Sequence, residues 1–152
     1  MRDKEDARIS MKYVVDTNII NRLTDGLLST SELPSDGEFV ATHIQINELS
    51  KTSDSNRRVA LLQKFSTLVD AVIPTESTIL GISTIGRSKI SDGSLYQTLR
   101  AALDSKNKGK ENNAQDALIA EAGIKQVCTL LTADSDLAEV AKEHGCLVQF
   151  FK

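Results

Sequence analysis

The sequence has few cysteines and no long apolar run, and each shortage excludes a class of protein. Its two cysteines, Cys128 and Cys146, lack metal-ligand spacing and stand in apolar surroundings. We interpret them as reduced core residues and expect a cytoplasmic protein. No stretch approaches the ~18 apolar residues of a membrane span, and the N-terminus lacks the apolar core of a signal peptide. The net charge of −3 provides no global basic field, although a local patch suffices to contact phosphate.

What is present fits one soluble globular domain. The chain has 152 residues, enough for one core and too few for two ordinary domains. It is 40% hydrophobic and 26% charged, which is an ordinary soluble composition. Residues 1–10 carry three acidic and three basic residues and almost nothing apolar. We therefore predict a flexible tail over residues 1–10 and a single domain over residues 11–152.

Five short apolar stretches alternate with helical patterns along this domain. The stretches cover residues 13–15, 38–41, 71–73, 127–131 and 147–151. Between them, apolar residues recur at helical spacing. Short apolar strands separated by helices predict a parallel sheet, and right-handed crossovers place helices on both of its faces. The predicted fold is an α/β protein with three layers, α/β/α.

Local signals also predict where two helices in the second half begin and end. Asn113 suits the start of a helix, and Gly123 suits its end because glycine readily adopts the left-handed conformation that closes helices. A second helix is expected over residues 93–103, followed by a charged, lysine-rich loop over residues 104–112.

Four acidic side chains stand at or near the ends of predicted strands. Asp16 ends the first strand, Asp134 follows the fourth, and Glu48 lies about one and a half turns into the helix after the second. Ligands bind at the carboxyl ends of parallel strands, so connectivity brings two or three of these acids to one edge of the sheet. The position of Asp116, in the first turn of a helix, depends on the rest of the fold.

Each acid also has a purely structural interpretation. Asp16 could accept backbone hydrogens in a turn that closes the strand. Asp116 and Asp134 could stabilise helix N-termini, by roughly 0.3–1 kcal/mol each. Glu48 could be a solvated surface residue. These interpretations do not predict convergence, whereas a functional site requires it.

Converging carboxylates would need a cation. Two carboxylates ~4 Å apart repel each other by about 4 kcal/mol at an effective dielectric of 20. Carboxylate oxygens without histidine or cysteine favour Mg²⁺ or Mn²⁺ over zinc. Such ions bind substrate phosphates and activate water, so the pattern predicts phosphodiester hydrolysis. The polar residues that could orient the carboxylates, the water or a phosphate are Asn18, Asn113, Thr132 and Ser135.

The same residues resemble the motifs of PIN-domain ribonucleases, in the order of that family and over residues 12–151. The motifs are Val14-Val15-Asp16-Thr17-Asn18, the helical Glu48, Asn112-Asn113-Ala114-Gln115-Asp116-Ala117 and Leu131-Thr132-Ala133-Asp134-Ser135-Asp136-Leu137. The resemblance implies a parallel five-stranded sheet of order 3-2-1-4-5. It also implies metal-dependent cleavage of single-stranded RNA that leaves a 5′-phosphate. The resemblance implies that the acids matching the family's quartet are catalytic and bind the metal; they are Asp16, Glu48, Asp116 and Asp134. Asp136 matches a further position that is often acidic and is a predicted ligand of a second metal or a supporting residue.

The resemblance has consequences for partners as well. Many members of the family are toxins of VapBC toxin–antitoxin pairs, which a small antitoxin protein inhibits and which are commonly dimeric. It therefore implies an antitoxin partner and a homodimer for this chain.

A basic region between residues 87 and 110 is the predicted RNA-contacting surface. Its members are Arg87, Lys89, Arg100, Lys106, Lys108 and Lys110. The alternative is an ordinary solvated face. No aromatic residue alternates with these lysines, so base stacking is not expected there.

Two other functions compete with the nuclease. One is a non-catalytic PIN-like module that binds RNA or protein, and an effect of metal on the melting temperature would distinguish the two. The other is a phosphatase of the haloacid-dehalogenase type with Asp16 as nucleophile. It is disfavoured because such enzymes have a second aspartate two residues later, where this chain has Asn18.

Overall fold

The structure, a computed structural model, describes residues 11–77 and 93–152. The predicted tail over residues 1–10 lies outside this range, as do Arg87 and Lys89. The strands described are β1 Met11–Val15, β2 Gly37–Ala41, β3 Ala71–Val72, β4 Thr129–Thr132 and β5 Leu147–Phe150. The α-helices described are α1 Thr17–Thr24, α2 His43–Ser50, α3 Ser55–Leu68, α4 Ser94–Asn107, α5 Asn113–Lys125 and α6 Ser135–Glu143.

The strands form one parallel sheet with the order β3-β2-β1-β4-β5. The register places Tyr13 of β1 opposite Phe39 on one side and Thr129 on the other. The backbone N–H of Asp16 donates to the carbonyl of Leu131 at 3.0 Å and extends the β1–β4 ladder by one residue. The predicted α/β fold and its strand order are confirmed, and Asp16 lies at the centre of the carboxyl edge.

Side chains of β1 alternate between two cores. Val14 packs in the core formed mainly by α4, α5 and α6, whereas Tyr13 and Val15 pack in the core formed mainly by α1, α2 and α3. Because successive residues of a strand point to opposite faces, a strand buried on both sides must be apolar throughout. The three predicted layers are therefore confirmed. Within the described part of the chain, no helix is both long and apolar enough to cross a membrane.

The predicted end of α5 is wrong, because this helix continues past Gly123 to Lys125. A Cβ atom on Gly123 would lie 3.2 Å from Cγ1 of Val14, so glycine permits close packing of α5 on the sheet. The left-handed residue that follows the helix is Val127, with φ 58. The N–H of Cys128 donates to the carbonyl of Gly123 at 2.8 Å and that of Val127 to Ile124 at 3.2 Å, which closes the helix.

The helix α4 is longer than predicted and the charged loop is correspondingly shorter. Residues 104–107 form its last turn, which places Lys106 on the helix. A tight turn follows, in which Lys108 and Gly109 both have left-handed backbones, with φ 61 and φ 75. The helix begins at Ser94, close to its predicted start.

Candidate metal centre

Asp16 is held at the sheet edge by three hydrogen bonds. Its side chain is buried, and the backbone N–H of Thr17 donates to Oδ1 at 2.8 Å. The amide of Asn18 and the hydroxyl of Thr132 donate to Oδ2 at 2.9 and 2.7 Å. Asp16 is also the N-cap of α1, so its structural interpretation is correct as far as it goes.

Asn18 and Thr132 connect the ends of β1 and β4. The Thr132 hydroxyl accepts the N–H of Asp134 at 3.0 Å, and Oδ1 of Asn18 accepts the N–H of Ala133 at 3.0 Å. Because both side chains also donate to Asp16, they fix its carboxylate relative to the start of α6. Their predicted role in supporting a metal site stays a prediction.

Asp134 is the N-cap of α6. Its Oδ1 accepts the N–H groups of Asp136 and Leu137 at 3.0 and 3.2 Å. These bonds orient Asp134, and its Oδ2 takes no part in them.

Glu48 reaches the site from α2, which is anchored to β1. Thr42 and Gln45 form a capping box at the start of α2. The Gln45 amide also donates to the carbonyl of Val15 at 3.0 Å, which fixes the helix against the residue before Asp16. Glu48 follows Gln45 by about one turn, and the Thr17 hydroxyl donates to its Oε1 at 3.3 Å. The capping box was recognisable from the sequence, but the bond to Val15 depends on tertiary structure.

Asp116 occupies the first turn of α5 and is buried. No hydrogen bond from residues 11–77 or 93–152 reaches its carboxylate. Burial, followed by the charges of Asp16, Glu48 and Asp134, raises its pKa to about 8, while Lys110 opposes the rise. Since these charges come from three separate elements, the predicted quartet converges in space.

The other acids respond to the same field. Burial, together with the charge of Asp16, raises the pKa of Glu48 to about 7, and the hydrogen bond from Thr17 opposes the rise. Burial and the charge of Asp134 raise the pKa of Asp16, although its hydrogen bonds favour the ionised form. The site therefore has more negative charge than the protein compensates.

The four carboxylates are close enough for their charges to interact, but they are not arranged as a complete set of metal ligands. Among residues 11–77 and 93–152, no three His, Cys, Asp or Glu side chains form a group ready to hold a metal ion. Carboxylates repel each other when no cation holds them. The available metal ligands are carboxylate oxygens, and the pKa values of their carboxyl groups are raised. Such ligands fit Mg²⁺ or Mn²⁺, which would neutralise the excess negative charge.

Three further residues named from the sequence have neighbours other than the four site acids. Asp136 is half-buried on α6, and its charge helps to raise the pKa of Lys106. Asn113 donates to Asp104 at 2.7 Å, away from the carboxylates. Ser135 is exposed at the start of α6. Asp136 remains a predicted metal ligand, but the structure gives it a different neighbour.

The four basic residues of this region that the structure describes have different neighbours. Arg100 donates to the Tyr96 hydroxyl at 3.1 Å, and Lys106 forms an ion pair with Glu139 at 2.9 Å. Lys108 is exposed in the turn after α4. Among the four basic residues that the structure describes, Lys110 is the one paired with a site acid, and its Nζ lies 3.9 Å from Oδ2 of Asp134.

Comparison with known proteins finds similarity in structure. The chain matches no known family profile and no curated protein. It is similar to a chain of VapBC2 from Rickettsia felis, solved with promoter DNA, at TM-score 0.60 and 19% identity over 93% of this chain and 100% of that one. It is also similar to VapBC-1 from nontypeable Haemophilus influenzae, at TM-score 0.56 and 16% identity over 92% and 98% of the two chains.

A third similar structure is VapBC-5 from Mycobacterium tuberculosis, a member of the VapBC family of toxin–antitoxin systems. It matches at TM-score 0.52 and 16% identity over 93% of this chain and 98% of that one. At such low identity, the likeness establishes the fold. The protein has the PIN-type fold of VapC, as the sequence motifs predicted.

Proposed function

We propose that this protein is a Mg²⁺- or Mn²⁺-dependent endoribonuclease that hydrolyses phosphodiester bonds of single-stranded RNA. The observation that supports this most directly is the convergence of the four acids, seen in the pKa of about 8 at Asp116 and its dependence on the other three. Buried acids that raise each other's pKa destabilise a fold when they are ionised and no cation is bound. A phosphodiester substrate accounts for the cation, because divalent metals bind phosphate oxygens.

Each residue has a role in this proposal. Asp16, Asp116 and Asp134 would bind the metal, and Glu48 would bind it directly or through water and polarise the attacking water. When bound, the cation would lower the pKa of that water and neutralise charge on the phosphate. Asn18 and Thr132 keep the Asp16 carboxylate in place through bonds of 2.9 and 2.7 Å. Water would attack phosphorus, and the departing oxygen would belong to the 3′ side of the upstream nucleotide, which leaves a 5′-phosphate.

The proposal extends to a toxin role with an antitoxin partner and a homodimer. Its support is the likeness of 92–93% of this chain to chains of VapBC complexes. Light scattering of the purified protein, alone and with the product of an adjacent small gene, tests both parts. A monomer that no such product inhibits would leave a nuclease without the toxin role.

The principal experiment compares RNA cleavage by wild type, Asp16→Asn and Asp54→Asn in Mn²⁺, Mg²⁺ or EDTA. Asp54→Asn is a matched control because it removes one negative charge that is not among the four acids, and asparagine can still cap α3. We expect metal-dependent cutting that falls more than about 100-fold in Asp16→Asn, since even outer partners of metal ligands contribute 10–100-fold. Retained activity in Asp16→Asn would remove Asp16 from the mechanism.

A non-catalytic binding module is the second candidate. The observation in its favour is that the acids of the described residues do not form a group ready for a metal. The melting temperature in Mn²⁺ separates the candidates, because a real site is stabilised by about 2.7 kcal/mol at a hundredfold excess of metal over Kd. RNA binding without a metal effect and without cleavage would favour the module.

A further inference from the structure

Lys110 lies at the rim of the acidic cluster. Its Nζ is 3.9 Å from Oδ2 of Asp134, and its charge opposes the rise in the pKa of Asp116. The side chain is still 57% exposed, so it could contact a solute. An exposed ion pair contributes at most about 1 kcal/mol to stability, and stability alone therefore does not explain a lysine at this position.

The turn that carries Lys110 fixes its backbone in both directions. Its N–H donates to Oδ1 of Asn107 at 3.1 Å, and its carbonyl accepts the N–H of Asn113 at 3.1 Å. The left-handed residues Lys108 and Gly109 reverse the chain immediately before it. The direction in which Lys110 leaves the backbone is thus determined by specific contacts.

A pair of asparagines connects this turn to the site. Asn113 is buried and donates to Oδ1 of Asn107 at 2.8 Å and to Oδ1 of Asp104 at 2.7 Å, while Asn107 donates back to Asn113 at 2.9 Å. Asn113 begins α5, and Asp116 lies three residues later on the same helix. The turn that carries Lys110 is therefore bonded to Asn113, at the start of the helix that carries Asp116.

We infer that Lys110 is the phosphate-binding residue of this site, paired with Asp134 until a backbone phosphate of single-stranded RNA takes that carboxylate's place. The inference rests on the proposed function. An ammonium group binds phosphate as a point charge and reads no base, so the contact would position RNA without selecting its sequence. Lys106 is unsuited to this role because it is paired with Glu139 on α6.

The same position makes Lys110 a competitor of the metal. A cation 3.9 Å from Asp134 repels a second cation that approaches the same carboxylate. Removing the charge of Lys110 should therefore leave metal binding unchanged or strengthen it, while RNA binding weakens. A residue that only supported the metal site would weaken both.

The test compares Lys110→Met, which keeps the apolar stem, with Lys142→Met, which removes the same charge from an exposed position on α6. Titration calorimetry with Mn²⁺ alone measures metal affinity. Fluorescence anisotropy of a 5′-labelled single-stranded RNA in Ca²⁺, at several salt concentrations, measures RNA affinity. For Lys110→Met we expect Mn²⁺ affinity at or above that of wild type, RNA affinity reduced about fivefold, and a salt slope shallower by about 0.7. Lys142→Met should behave as wild type.

Three results would overturn the inference. They are an unchanged salt slope in Lys110→Met, equal effects of the two lysine variants, and a loss of Mn²⁺ affinity as large as the loss of RNA affinity. Failure of the proposed function looks different, because wild type would then neither bind Mn²⁺ nor cut RNA. A wild type that cuts RNA, with Lys110→Met binding RNA normally, would reject the role of Lys110 and leave the nuclease intact.

Discussion

The two acids that follow strands and the two that lie within helices have different environments. Asp16 accepts three hydrogen bonds, and Asp134 accepts two from backbone N–H groups. Glu48 accepts one at 3.3 Å, and Asp116 accepts none from the described residues. The pKa values of Glu48 and Asp116 are raised to about 7 and about 8. The fold thus orients the strand-end pair with hydrogen bonds that the helical pair largely lacks. Burial raises the pKa of Asp16 as well, so a cation would relieve the electrostatic cost at Asp16, Glu48 and Asp116 together.

The largest effect we expect is a loss of metal-free stability as pH rises. A carboxyl group with a pKa higher in the folded than in the unfolded state holds its proton more tightly when folded. Stability is therefore highest below the unfolded pKa and declines as pH rises through the folded value. For Glu48, raising the pKa from 4.5 to about 7 corresponds to about 3 kcal/mol, lost between those pH values.

Urea unfolding in EDTA between pH 5 and 8.5 measures this loss, and Asp116→Asn tests its origin. Asparagine removes one carboxyl group whose pKa is raised. The variant should therefore lose less stability as pH rises, and at pH 8.5 its free energy of unfolding should exceed that of wild type. Asp16→Asn should gain less stability at pH 8.5, because the substitution disturbs the hydrogen bonds that Thr132 and Asn18 donate to Asp16. Saturating Mn²⁺ should flatten the wild-type curve. Parallel curves for wild type and Asp116→Asn would contradict the difference between the two pairs.

The next effect tests the hydrogen bonds of the strand-end pair. Thr132→Val keeps the shape of a buried side chain but removes the hydroxyl that donates to Asp16 and accepts from Asp134. Leaving a buried N–H unpaired costs about 1–3 kcal/mol, which urea unfolding would detect. Thr132→Ser retains the hydroxyl and is the control. Equal stabilities of the valine and serine variants would show that these bonds contribute little.

A smaller effect concerns the helix-capping function of Asp134. Asn and Ala both remove its charge, but only asparagine can still accept the N–H groups of Asp136 and Leu137. We expect Asp134→Asn to be more stable than Asp134→Ala by about 1 kcal/mol in thermal unfolding. If the alanine variant is as stable as the asparagine variant, the cap has no measurable role.

The smallest effect is expected at Thr17, which donates the one hydrogen bond that Glu48 accepts from the described residues. Thr17→Val should raise the pKa of Glu48 further, since a bond to the ionised form is lost, and should destabilise the protein by about 0.5 kcal/mol. Carbon-13 NMR titration of Glu48 in EDTA measures the change. A lowered or unchanged pKa, with Thr17→Ser as reference, would show that this bond does not favour the ionised form.

Much of the fold could be predicted from sequence because its signals are local. A short apolar stretch such as residues 13–15 indicates a strand buried on both faces, and the carboxylate that follows it marks the strand end. Helices between such strands require crossovers, whose handedness is nearly invariant. The strand order, by contrast, was predicted from the resemblance to PIN domains.

The errors occurred where one residue type has two uses. Glycine ends helices and also permits close packing, and at Gly123 the second use applies because Val14 lies opposite. The left-handed position after the helix holds Val127, which no local rule favours. Lys106 and Lys110 belong to the same basic region of the sequence. Lys106 lies on the last turn of α4 and pairs with Glu139, whereas Lys110 follows the helix and pairs with Asp134.

The sequence by itself determined which segments are strands and that acids follow two of them, because periodicity and turn chemistry act over a few residues. Only the tertiary structure decided that Asp16 and Asp116, 100 positions apart, share one electrostatic field. It also decided which of the acids receive hydrogen bonds and which lysine lies beside them. Burial and Coulomb energies depend on distances through space, which crossovers and helix packing set.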